Sequence, residues 1–71
     1  MERSPVTSTS LVSIGYHAET QTLEIEFIKG GIYQYYGVPQ HEYDDLMRAA
    51  SHGQHFDDNI KKGAYSYVKV S

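Results

Sequence analysis

The stretch Leu23-Glu24-Ile25-Glu26-Phe27-Ile28-Lys29-Gly30-Gly31-Ile32-Tyr33-Gln34-Tyr35-Tyr36 decides the fold. Leu23, Ile25 and Phe27 alternate with Glu24 and Glu26, which is the period of two expected of a strand with one dry and one wet face. A second strand runs from Ile32 to Tyr36 and is ended by Gly37. The turn between them sets which side the tyrosines occupy. A two-residue Gly-Gly hairpin pairs Lys29 with Ile32, leaves Tyr33 and Tyr35 beside the glutamates, and wastes the pattern. A three-residue turn, Lys29-Gly30-Gly31, pairs Phe27 with Tyr33 and Ile25 with Tyr35 and gathers the large apolar side chains on one face. We therefore expect the three-residue turn, with Tyr33 and Tyr35 facing the core and Tyr36 pointing outward.

Upstream, Val12, Ile14, Tyr16 and Ala18 alternate with Ser13, Gly15 and His17, which predicts a strand from Leu11 to Ala18 and a polar turn at Glu19-Thr20-Gln21. Residues 1–10 are rich in Ser and Thr, contain Pro5, and hold little apolar material to offset ordering entropy, so they read as a flexible N-terminal arm before a single domain over residues 11–71. Downstream, Val38-Pro39 opens a helix expected over Pro39 to Ala50, because proline suits the first helical position. Its apolar stripe is Tyr43, Leu46, Met47 and Ala50. Gly53 is placed to end that helix in a left-handed conformation. A short second helix should follow Phe56, with Asp57 as N-cap and Ile60 turned inward, and stop at Gly63. Ala64 to Val70 alternates as a strand, and the pattern leaves open which of its faces is inner. The sum is an α+β domain: an antiparallel sheet of three to four strands in the order β-β-β-α-α-β, with one helix packed on one face and a short second helix.

At 71 residues with no cysteine, the core is small and must be held by aliphatic and aromatic packing, for which seven tyrosines and two phenylalanines are available. The formal net charge of -3 argues against tight non-specific binding to nucleic acid, though not against a local basic patch. Lys61 and Lys62 are partly cancelled by Asp57 and Asp58. The N-terminus has no apolar stretch of the signal-peptide kind and no run is long enough to cross a bilayer, so a cytoplasmic location is expected.

Ile14-Gly15-Tyr16, Leu23-x-Ile25-x-Phe27, Gly31-Ile32-Tyr33-x-Tyr35, Gly37-Val38-Pro39, Tyr43, Leu46, Ala50-Ser51-x-Gly53, Phe56, Ile60 and Tyr65 together resemble the KTSC domain. That family is named from an extension at the C-terminus of some lysyl-tRNA synthetases and also occurs as small stand-alone bacterial proteins. The resemblance covers about residues 9–69, and its central tyrosine-x-tyrosine mark is matched by Tyr33-Gln34-Tyr35. It implies an RNA-associated role of undefined mechanism. The chain departs from the family pattern in Ser51 to Phe56, where a lysine-containing segment is replaced by His52, Gln54 and His55.

The residues themselves present no catalytic constellation. Asp44-Asp45 and Asp57-Asp58 are adjacent pairs whose side chains diverge by about 100° on a helix. Gly30-Gly31 lacks the helix and lysine of a phosphate-binding loop. His52-x-x-His55 has zinc-compatible ligand types, but a loop spacing of three does not fix a common direction, and we read these histidines as solvated. No cofactor is implied. Two binding readings remain. The first is an RNA module, for tRNA or single-stranded RNA, using Tyr36 with Lys29, Lys61, Lys62 and Lys69, and with Arg48. The second is a protein-interaction or homodimerisation module, supported by the acidic balance, by Ile28 and Ile32 on the polar sheet face, and by an unpaired edge strand.

Overall fold

The computed structural model describes residues 1–71 and contains five strands: β1 (Ser4–Pro5), β2 (Leu11–His17), β3 (Thr22–Phe27), β4 (Ile32–Tyr35) and β5 (Tyr67–Lys69). Helix α1 (Gln40–Arg48) and helix α2, which begins at His52–His55 and continues as a wider π-helical stretch over Phe56–Lys61, lie between β4 and β5. The sheet is antiparallel throughout, with strands in chain order β1-β2-β3-β4-β5. The expected α+β class is therefore found, with one strand more than the three to four expected.

The additional strand comes from the arm. Ser4 pairs with Ile14 and Pro5 with Ser13, and proline is tolerated because the strand lies at the edge of the sheet. What composition does not reveal is an electrostatic anchor. Arg3 folds over the outer sheet face, donates to Ser13 Oγ at 2.9 Å, and contacts the carboxylate of Glu24. Ser13 Oγ in turn donates to Glu26 at 3.0 Å, and Gln34 Nε2 donates to Glu24 at 2.8 Å. The face expected to be wet is closed at its centre, and Glu24 is only 5% exposed. Gly15 makes the crossing possible, since a Cβ there would lie 2.5 Å from the Glu2 carbonyl oxygen.

The tight turn has the expected length but sits one residue earlier. The Phe27 N–H donates to Gly31 O at 3.1 Å and the Gly30 N–H to Phe27 O at 2.9 Å, so the loop is Ile28-Lys29-Gly30. Ile25 thus faces Tyr33 and Leu23 faces Tyr35. The pairing moves by two residues, which preserves side-chain parity, and the tyrosines remain on the face predicted for them. Consecutive positive φ angles at Gly30 (108°) and Gly31 (92°) permit this path.

In β2 the register shifts between Leu11 and Ser13. This bulge turns Leu11 into the core and Val12 outward, correcting the expectation that Val12 shares a face with Ile14.

Helix α1 starts one residue later and ends two residues earlier than expected, with Pro39 as its N-cap residue. Leu46 is fully buried, Tyr43 and Met47 pack beside it, and Ala50 is exposed beyond the helix end. Tyr43 stacks on Tyr16 with centroids 4.9 Å apart and an interplanar angle of 10°.

The second helix differs more. Ser51, not Asp57, caps it by accepting from the Gln54 N–H at 3.2 Å, so Gly53 lies inside this helix rather than ending the first. A Cβ on Gly53 would come 3.0 Å from Ser10 Oγ, and its absence allows the helix to pack closely against the segment before β2. Phe56 and Ile60 are buried and join Leu11, Ile14, Leu23, Ile25, Tyr35, Val38 and Leu46 in one core. Each fully buried aliphatic contributes about 1.5–3 kcal/mol relative to exposure.

Candidate functional site

Strands β2 and β3 are more deeply buried than β4 and β5, and over that second half of the sheet the aromatic side chains line a concavity of about 470 Å³. Two features of the backbone create it. The turn after β3 and the segment Thr9 to Leu11 form one wall, while the end of α2 and the following Tyr65 form the opposite one. Between them, Tyr33 and Tyr35 project from β4 and Tyr67 from β5, because Tyr35 and Tyr67 are register partners.

The rings form a continuous network. Phe27 meets Tyr33 edge-on at 5.5 Å, and Phe56 meets both Phe27 and Tyr35 edge-on at 5.4 Å. Tyr67 lies 5.3 Å from Tyr35 and 6.2 Å from Tyr33. Edge-to-face contacts of this kind hold the inner rings in place. Tyr35 is buried, Tyr33 is half-buried, and Tyr67 is 60% exposed, so the rings grade from core to open surface.

Burial, followed by the neighbouring phenols of Tyr67 and Tyr33, pushes the Tyr35 hydroxyl up to about 12. Tyr65 is also raised, first by burial and then by Glu42, whose carboxylate accepts from its hydroxyl at 3.5 Å. Both shifts lead away from neutrality. These phenols are neutral hydrogen-bond donors and not bases at pH 7.

The cations divide sharply. Arg3 is paired with Glu24 and Glu26, Arg48 with Asp45 at 2.9 Å, and Lys62 with Asp58 at 3.8 Å. The other three lysines, Lys29, Lys61 and Lys69, enter no ion pair; two of them belong to the concavity and the third neighbours Tyr33 on its margin. Lys29 and Lys61 line it. Lys69 faces Tyr33 in the register, and its Cε would lie 3.3 Å from a Cβ on Gly31. In a chain of net charge -3, the unneutralised positive charge is thus concentrated beside the exposed aromatic rings.

The structure accordingly separates the residues that sequence reasoning had grouped. Tyr36 points to the outer face and donates to Gln34 Oε1 at 3.0 Å, apart from Lys29, Lys61 and Lys69. Lys62 and Arg48 are occupied by carboxylates. Tyr33 and Tyr35 pack against the core, as expected, and also present their remaining surface to the concavity. Tyr65, Tyr67, Phe56 and Asp57 were not assigned to the site from sequence. Their signal was the odd-numbered parity of Tyr65, Tyr67 and Lys69, which matches that of Tyr33 and Tyr35 once β5 is paired with β4. The histidines are helical rather than in a loop: His52 Nδ1 lies 2.8 Å from Leu46 O at the end of α1, and His55 lies beside Asn59.

No helix is long and apolar enough to cross a membrane. Comparison with known proteins gives a consistent set of relatives. The family model of the KTSC domain matches residues 7–67. A crystal structure of a KTSC domain protein from Yersinia pestis superposes with a TM-score of 0.91 at 40% identity, covering 99% of this chain and 97% of that one. An uncharacterized protein from Stutzerimonas stutzeri is 40% identical over 70 residues, 99% of each chain. A lysine–tRNA ligase from Nostoc punctiforme is 45% identical over 56 residues, which are 79% of this chain but 10% of the ligase.

Proposed function

The chain belongs to the KTSC domain family, and from that membership and the shape of its surface we propose that it is a non-catalytic module that binds single-stranded RNA. The observation carrying this reading is the coincidence of two unpaired lysines, Lys29 and Lys61, with the graded set of tyrosines at one concavity, and of a third, Lys69, beside Tyr33. Aromatic rings on a sheet stack on unpaired bases, and adjacent lysines neutralise phosphates. The similarity to a segment of a lysine–tRNA ligase supports an RNA-related role, although the ligase's own activity resides in a protein ten times longer than the matched region.

With three free lysines the electrostatic component is small, so the salt dependence should be shallow. For a single strand, the slope of log K against log salt should be about -2 if three phosphates are engaged. Fluorescence anisotropy with a labelled single-stranded RNA across a salt series tests this. Absence of binding at low salt would refute the reading.

A second reading, contact with another protein or with a second copy, is favoured by the outer face of β4 and β5. There Val68 and Val70 are each 46% exposed beside Ile32 and Tyr36, and β5 has a free edge. Sedimentation over a concentration series distinguishes self-association from a persistent monomer.

A further inference from the structure

We infer that the concavity seats one unstacked ribonucleotide of the RNA, with its base against Tyr67 and its phosphate between Lys29 and Lys61, an inference that rests on the reading above. The first argument is enclosure. A surface that tracks a strand through several bases is a long open groove, whereas this site is a single hollow whose lining includes Ser10, the turn residues Lys29 and Gly30, Lys61 and Tyr65. Its volume of about 470 Å³ is toward the small end of ligand pockets and suits a single nucleotide.

The second argument is the chemistry of the lining. Tyr67 is the ring with the most open surface, and it is held at a tilt of 31° on the buried Tyr35, which gives a base a rigid partner. Lys29 and Lys61 both line the site and have no carboxylate partner within the fold, so both ammonium groups are free to meet a phosphate. Asp57 lines the same site and is not ion-paired with Lys61. A carboxylate is an acceptor only, and it repels phosphate. It therefore suits the hydroxyl-bearing edge of the nucleotide, where ribose offers one more donor than deoxyribose.

The test is an NMR titration of the full chain with adenosine 5′-monophosphate, adenosine, 2′-deoxyadenosine 5′-monophosphate and a short single-stranded RNA. The monophosphate should shift the amides of Tyr33, Tyr35, Phe56 and Tyr67. Removing its phosphate should weaken binding by about tenfold, as expected for loss of a charge-assisted contact. The deoxy analogue should bind more weakly than the ribonucleotide. Lys61→Gln, at an exposed position that leaves the core untouched, should bring the monophosphate toward the affinity of the nucleoside, and adding Lys29→Gln should complete the loss. Tyr67→Leu should lower the affinity of both.

If the oligonucleotide binds while the monophosphate leaves these amides unmoved, the single-nucleotide seat is wrong and the RNA-binding reading stands. Shifts confined to the outer face around Tyr36 and Val68 would overturn the seat in the same way. Equal binding of adenosine and its monophosphate would overturn the assigned role of the lysines. If neither nucleotide nor RNA binds, both readings fail.

Discussion

Arg3→Met tests whether the arm is held by charge rather than by its backbone pairing with β2. The substitution keeps most of the apolar stem and removes the guanidinium from Glu24, Glu26 and Ser13. Glu24 then keeps only Gln34 as a side-chain donor, in a position where the residue is 5% exposed. Breaking a fully buried ion pair costs about 3–5 kcal/mol. Because the Arg3 side chain is 24% exposed and water can replace part of its role, the expected cost at pH 7 is about 2 kcal/mol. With a urea m-value of about 1 kcal/mol/M for a domain of this size, the unfolding midpoint should fall by about 2 M.

The pH dependence is the sharper criterion. Burial alone would raise the Glu24 carboxyl, but hydrogen bonds from Gln34 and Arg3 and the charge of Arg3 outweigh it and hold it below its ordinary value of 4.5. In the native chain this contribution is therefore fully present above pH 4.5 and is lost as the pH falls through the lower folded value. In the variant, burial is opposed mainly by the Gln34 hydrogen bond, without the arginine's hydrogen bond and charge, so Glu24 takes up its proton at a higher pH. The deficit of the variant should narrow as the pH is lowered from neutrality through 4.5. Urea denaturation followed by circular dichroism at several pH values measures it. A deficit independent of pH, or one below about 0.5 kcal/mol at pH 7, would refute the electrostatic account. In a Glu24→Gln background the cost of Arg3→Met should be much smaller, since no buried charge is left unpaired.

Other outcomes follow from the same geometry. Gly15→Ala places a Cβ against the Glu2 backbone, so it should lift the arm; its destabilisation should be strongly non-additive with that of Arg3→Met in a double-mutant cycle. Leu46→Ala removes the one fully buried residue of α1 and should cost about 3 kcal/mol by thermal or chemical denaturation. Because the Tyr35 hydroxyl is raised from 10.0 to about 12, the stability it contributes is complete below pH 10.0 and is lost as the pH rises toward 12; ultraviolet titration should show one phenol ionising together with unfolding. Tyr36→Ala, at a residue 37% exposed on the outer face, should change stability by less than about 0.5 kcal/mol and leave RNA affinity unchanged.

The parts of the fold visible in the sequence are those governed by side-chain parity. Alternation in β3 and the glycine turn place Tyr33 and Tyr35 correctly even though the pairing is displaced, because a shift of two residues does not alter which face a side chain occupies. What parity does not report is where backbone irregularities fall. The bulge at Val12 and the early start of α2 at Ser51 follow from pairing geometry and from a serine cap embedded in a polar stretch, where Asp57 offers an equally plausible cap. The arm was illegible for a different reason: its order depends on one arginine finding carboxylates more than twenty residues away. At the site, the lysines are named from charge alone, and only the ion pairs of Lys62 with Asp58 and of Arg48 with Asp45 distinguish these two from Lys29, Lys61 and Lys69. Tyr36 is exposed as expected but lies on the opposite face from these lysines, whereas Tyr67 shares their face, which the alternation of β5 alone leaves open until its register with β4 is known.

The strand order has a consequence for modular use. Because the first and last strands in the chain are also the two rims of the sheet, a polypeptide fused at either end would continue from a rim strand and not from between two paired strands. A graft at the leading end must leave Arg3 in reach of Glu24, and one at the trailing end starts beside Gly31 and Tyr33, next to the aromatic hollow.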